Sequence, residues 1–148
     1  MLEIENLKQK IQELTKENSE LKEKLEKISL QRGKNQKKGM MKKAISGKVM
    51  SKPAFGYKIE QGKLIKVEEN AQKVQEIFYD FLNSNLSLNK LAKKYNFSVN
   101  GIKKILKNFT YIGKINFDNQ IHQGNHEQII SSTDFNHAQD KLDEVLKN

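Results

Sequence analysis

Residues 1–28 repeat every seven positions, and one member of the repeat is polar. With Ile4 as position a, the a residues are Ile4, Ile11, Asn18 and Leu25, and the d residues are Leu7, Leu14, Leu21 and Ile28. A strict a/d stripe is the seam of a coiled coil; a helix packed on its own domain carries a wider one. Mostly Ile at a with Leu at d favours two strands, and a single Asn at a fixes a parallel pair in register at some cost in stability. The flanking positions agree, because Glu3 at g faces Lys8 at e of a partner and Glu17 faces Lys22. Homodimerisation is therefore expected through Ile4, Leu7, Ile11, Leu14, Asn18, Leu21, Leu25 and Ile28. The competing reading is an amphipathic helix that packs on the rest of its own chain.

Charge says what such a pair would hold. The net charge is +9 in 148 residues, and it is unevenly placed. Residues 1–30 carry six Lys against seven Glu, whereas residues 31–66 carry eleven basic residues and one acid, Glu60. Residues 67–148 balance, yet 81–117 holds seven Lys and no acid. Two basic tracts, one with a single acid and one with none, point to a polyanion, with nucleic acid ahead of an acidic membrane surface. Neither tract has the bulky apolar face of a membrane-lying helix. No apolar run approaches the roughly 20 residues that cross a bilayer, and the charged heptads are unlike a signal peptide. Cysteine is absent, which removes disulfides and Cys-based zinc sites. A cytoplasmic, nucleoid-associated protein is the expectation.

The chain divides into a coil at 1–30, a basic linker at 31–53 and a domain at 54–148. Gly33, Gly39 and Gly47 weaken helix in the linker, and Pro53 ends it, although a short helix across 36–46 is compatible with the sequence. Such a strip suits a DNA backbone or minor groove, or is a solvated tether. Phe55, Tyr57 and Ile59 alternate before Gln61-Gly62, which predicts a hairpin over 54–67. Ala71, Val74, Ile77, Phe78, Phe81 and Leu82 give the inner face of a helix over 68–83 that opens on Glu68 and Glu69. A strand at 111–117 turns at Asp118-Asn119 and returns irregularly to Ile130. A helix over 134–147, capped by Ser132 or Thr133, buries Phe135, Ala138, Leu142 and Val145.

Residues 88–107 have helix-turn-helix spacing. Ala92 is small where two helices cross, Asn96 suits a left-handed turn, and Leu91, Ile102 and Ile105 supply a shared core. Ser98 can cap the second helix, which leaves Ser98, Val99 and Asn100 at its start and Lys103, Lys104 and Lys107 on its outer face. A recognition helix reads bases with its N-terminal residues, and Asn suits adenine as a Val methyl suits thymine. The lysines would hold phosphates. The alternative is a helical hairpin with a solvated lysine face. The expected DNA-binding set adds Lys42, Lys43, Lys48, Lys52, Tyr57 and Lys94.

Residues 47–147 resemble the recombinase domain of large serine recombinases. The likeness rests on Gly47-Lys48-Val49 with Pro53-Ala54-Phe55-Gly56-Tyr57-Lys58, and on Glu68-Glu69 leading to Val74-Gln75-Glu76-Ile77-Phe78. It continues through Ile105-Leu106-Lys107-Asn108-Phe109-Thr110-Tyr111-Ile112-Gly113 and His126-Glu127-Gln128-Ile129-Ile130. Ala54 and Phe109 depart mildly from the family pattern. The resemblance implies a mainly helical α+β domain with small hairpins that binds double-stranded DNA in recombination or integration, within a mobile element.

That family cuts DNA with a serine nucleophile helped by several arginines, in a domain that stands where this chain has its heptads. With Arg32 as the sole arginine, such a phosphate clamp cannot be built here. His122, His126 and His137 lack metal-ligand spacing. No catalytic residue, metal or cofactor is therefore expected. The expected role is an accessory, split or truncated recombinase, with a separate catalytic subunit as a further partner. The alternative is a transcriptional regulator or scaffold protein with a basic nucleic-acid-binding surface.

Overall fold

A computed structural model describes residues 1–48 and 52–148, so Val49 of the Gly-Lys-Val motif lies outside the described residues. The chain falls into two compact units, Met1–Met40 and Met41–Asn148.

Helix α1 runs from Leu2 to Ile45. It carries Glu3 and Glu5 in its first turn and Lys42 and Lys43 in its last, each sign complementing the helix dipole. Its heptad seam is open to solvent throughout, its apolar residues ranging from Leu14 at 47% exposure to Leu25 at 66%. The helix also continues through residues 31–45, where the sequence suggested a basic linker with at most a short helix across 36–46. Gly33 and Gly39 each cost about 1 kcal/mol in a helix, but proline is what breaks one, and the first proline is Pro53. Two residues past its end, Gly47 takes φ 69° and closes it off. There the Lys48 amide donates to Lys43 O at 2.9 Å and the Gly47 amide to Ala44 O at 3.0 Å.

The second unit is α+β and mainly helical. Strands β1 (Tyr57–Glu60) and β2 (Lys63–Lys66) pair antiparallel, with Tyr57 opposite Lys66, about the Gln61-Gly62 turn. Helices α2 (Glu68–Asn83), α3 (Leu88–Tyr95) and α4 (Val99–Leu106) follow, then a 3-10 turn at Phe109–Ile112. A second antiparallel hairpin, β3 (Lys114–Phe117) with β4 (Gln120–Gln123), precedes α5 (Ser132–Lys147).

One apolar cluster joins these pieces. Val74, Ile77, Phe78 and Phe81 of α2 meet Leu91 of α3, Ile102 and Leu106 of α4, and Phe135, Ala138 and Leu142 of α5. Each large side chain so buried stabilises by roughly 1.5–3 kcal/mol. No polar or charged residue is buried among the described residues.

Three expectations shift. Tyr111 and Ile112 lie in the 3-10 turn rather than a strand, because the Asn108 side chain accepts the Thr110 amide and tightens the chain there. The last helix starts two residues early, since Ser131, not Ser132 or Thr133, accepts the Asp134 amide as its cap. Val145 is 42% exposed, as α5 outruns its neighbours.

Candidate nucleic-acid interface

The α3–α4 turn sets the site. Asn96 takes φ 58°, and the Phe97 amide behind it closes on Ala92 O at 2.9 Å. Asn tolerates this left-handed conformation better than most non-glycine residues. Ser98 then caps α4, its Oγ accepting the Gly101 amide at 3.0 Å. Ile102, Ile105 and Leu106 face the core, which turns the opposite side of α4 outward.

That outward side forms a shallow groove of about 520 Å³ lined by Asn100, Lys103, Lys104, Lys107 and Asn108. The spacing of three and four puts them on one face. Every one can donate a hydrogen bond, and no carboxylate lines the groove. Ser98 and Asn100 are exposed at the start of the helix, whereas Lys103 is half-buried. Val99 is only partly available, because it packs against the core.

The other expected residues are not gathered there. Lys42 and Lys43 are exposed on the last turn of α1. Lys48 lines a separate hollow of about 310 Å³ with Lys63, Leu64, Asn125 and His126, and Lys52 is exposed but engaged in an interaction of its own. Lys94 is committed elsewhere. Its Nζ lies 2.6 Å from Asp80 Oδ2, which also accepts the Tyr95 hydroxyl at 2.7 Å. The Lys94 hydrogen bond, then that of Tyr95, holds the Asp80 carboxyl below the usual carboxylate range. Burial, then the hydrogen bond to Asp80, pushes the Tyr95 phenol up.

Tyr57 corrects the expectation outright. It is 6% exposed, and its single hydroxyl proton goes to Glu127 O at 2.6 Å, with Thr110 O at 3.3 Å as the weaker second acceptor. Its ring stacks on Tyr111, whose own hydroxyl donates to Phe55 O at 2.8 Å. Burial pushes both phenols up. Tyr57 thus ties the first hairpin to the loop after β4 and is not a DNA-facing residue. His126 belongs to the same knot, with Nε2 2.7 Å from Thr110 O.

The groove also takes in Asn108, and Gln139 Nε2 donates to Leu106 O at 2.6 Å at the end of α4; neither residue was in the expected set. Asn108 was legible from its position four after Lys104 on the same face; Gln139 acts across 33 residues of sequence and leaves no local signal. Among the described residues no group of three or more His, Asp or Glu could hold a metal, and no helix is long and apolar enough to cross a membrane.

The family model described as Recombinase matches residues 68–145. No curated protein matches. Among solved structures, one described as "Crystal Structure of a LSR-DNA Complex" is 28% identical, with a TM-score of 0.66 over 74% of this chain and 38% of that one. Another, described as "Sequence Requirements of the Listeria innocua prophage attP site", is 26% identical, with a TM-score of 0.68 over 74% of this chain and 52% of that one. The chain therefore spans less than two thirds of either. The matched residues are those that build α2 through α5 and present the donor-lined face of α4, and they make up more than half of the sequence; the chain belongs to the recombinase family.

Proposed function

We propose that this chain binds duplex DNA through α4 and acts in DNA recombination as an accessory, split or truncated recombinase. The observation that carries the reading is the groove lined by Asn100, Lys103, Lys104, Lys107 and Asn108, which offers donors and cations with no carboxylate among them. Ser98 and Asn100 at the helix start would meet base edges, and the lysines would hold phosphates. The similar solved structure described as an LSR–DNA complex supports the same ligand.

Two copies would pair in parallel through the seam of α1. The exposed seam from Ile4 to Ile28 needs a cover, and Asn18 selects a parallel partner. Past Ile28 the a and d positions become Arg32, Asn35, Gly39 and Lys42, so pairing would end there. Each copy would then reach one half-site, with Lys42 and Lys43 near the phosphates. Strand cutting is assigned to a separate catalytic subunit.

The test is a salt titration of duplex binding. Several neutralised phosphates make affinity fall steeply, by orders of magnitude between about 50 and 200 mM salt. A flat titration sinks the proposal. Lys107→Ala should weaken all duplexes alike, whereas Asn100→Ala should alter sequence preference. A supercoiled plasmid should be neither cut nor joined covalently to the protein; a covalent adduct would move the chain into the enzyme class.

A further inference from the structure

Asn108 stands apart from the lysines it shares the groove with. Its Oδ1 accepts the Thr110 amide at 3.0 Å and so caps the 3-10 turn. That bond fixes which end of the amide faces the backbone. It leaves Nδ2, with two hydrogens, as the group Asn108 can offer to the groove it lines. A donor held in place this way loses little freedom on binding, unlike a lysine on a flexible stem.

The surroundings favour an anion there. The carbonyls at the C-terminal end of a helix carry partial negative charge and would repel one. Three of those in α4 are engaged: Lys103 O accepts the Lys107 amide at 3.1 Å, Ile105 O the Asn108 amide at 3.2 Å, and Leu106 O the Gln139 side chain at 2.6 Å. Lys104 and Lys107 stand four and one residues before Asn108 and line the same groove.

We propose that Asn108 Nδ2, with Lys104 and Lys107, forms a seat for one phosphodiester of the DNA backbone at the C-terminal end of α4. The seat rests on the duplex-binding reading and adds a residue that reading does not need. It fixes the register of α4 on the backbone and carries no base preference.

The deciding variant is Asn108→Asp in the full chain. An aspartate still accepts the Thr110 amide, so the turn keeps its cap, but the donor becomes an anion. Binding to a mixed-sequence duplex is followed by fluorescence anisotropy across salt. Affinity should fall about tenfold or more, equally on every duplex, and the logarithmic salt slope should become shallower by about one. The helical circular dichroism should not change. Unchanged affinity and slope overturn the seat. Asn108→Ser keeps a capping oxygen without the amide donor and should show a smaller, equally sequence-blind loss. If Asn108→Asp loses helix, the serine variant decides, and wild-type affinity in it overturns the seat. A chain that binds no duplex before substitution overturns the functional reading and the seat together; one that binds and ignores Asn108→Asp overturns the seat alone.

Discussion

Gln139 Nε2, on α5, donates to the main-chain carbonyl of Leu106 at 2.6 Å, and to Phe135 O in its own helix at 3.2 Å. The C-terminal helix thereby holds the end of α4, whose outer face is the candidate interface. Leu106 itself is fully buried, so its carbonyl has little access to water as a substitute partner. Gln139→Leu should cost about 1–2 kcal/mol, the penalty of an orphaned buried acceptor. Urea unfolding should show a lower midpoint with an unchanged slope. An unchanged midpoint would mean that packing alone positions α4.

The Tyr57 hydroxyl makes a sharper distinction between structure and binding. Tyr57→Phe leaves Glu127 O without its hydroxyl donor, whereas Thr110 O keeps the Gly113 amide at 3.1 Å, and the ring stays on Tyr111. Stability should drop by about 1–2 kcal/mol. The salt slope of duplex binding should stay as it was, because no phosphate contact is lost. A changed slope would return Tyr57 to the DNA-facing set.

How far these relations could be read from the chain depended on their range. Helix α2 was legible to its ends because Glu68, Glu69 and the spacing from Ala71 to Phe81 are local. The α3–α4 turn was legible because Asn96 and Ser98 each act within a few residues. Tyr57 was not, since alternation in a hairpin says that one face is buried without saying which. The reach of α1 past Ile28 was hidden because the apolar repeat stops there, while helix persists on the propensity of a lysine-rich run. Around the candidate interface, the ion pair of Lys94 could not be read, because its partner Asp80 lies 14 residues away.

That ion pair predicts an acid limb. The Asp80 carboxyl titrates below its ordinary value of 3.8, chiefly through Lys94 and then Tyr95. A depressed folded value means that the unfolded chain binds the proton first. The stabilisation is thus fully present above the unfolded value and is lost as pH falls from about 3.8 through the lower folded value. Asp80→Asn should remove this part of the pH dependence and flatten the stability profile in that window. Lys94 is half exposed in the pair, so the effect should be modest and should shrink further in salt. An Asp80→Asn profile as steep as that of the unsubstituted chain would show that the carboxyl does not link α2 to α3.

Asn18 is the last residue whose effect divides the readings. In a parallel pair it meets its own copy across the seam, where two amides satisfy each other and no other register allows that. Asn18→Ile extends the apolar seam, so thermal stability of the assembly should rise while specificity falls. Sedimentation should then show a mixture of dimers and larger species in place of a single dimer. Two properly spaced DNA-binding domains need one register, so duplex affinity should fall even as the coil becomes more stable. The opposite pairing of outcomes, a lone dimer with unchanged affinity, would mean that Asn18 does not set the register. A monomer before substitution would leave the seam for some other partner and remove the two-half-site arrangement.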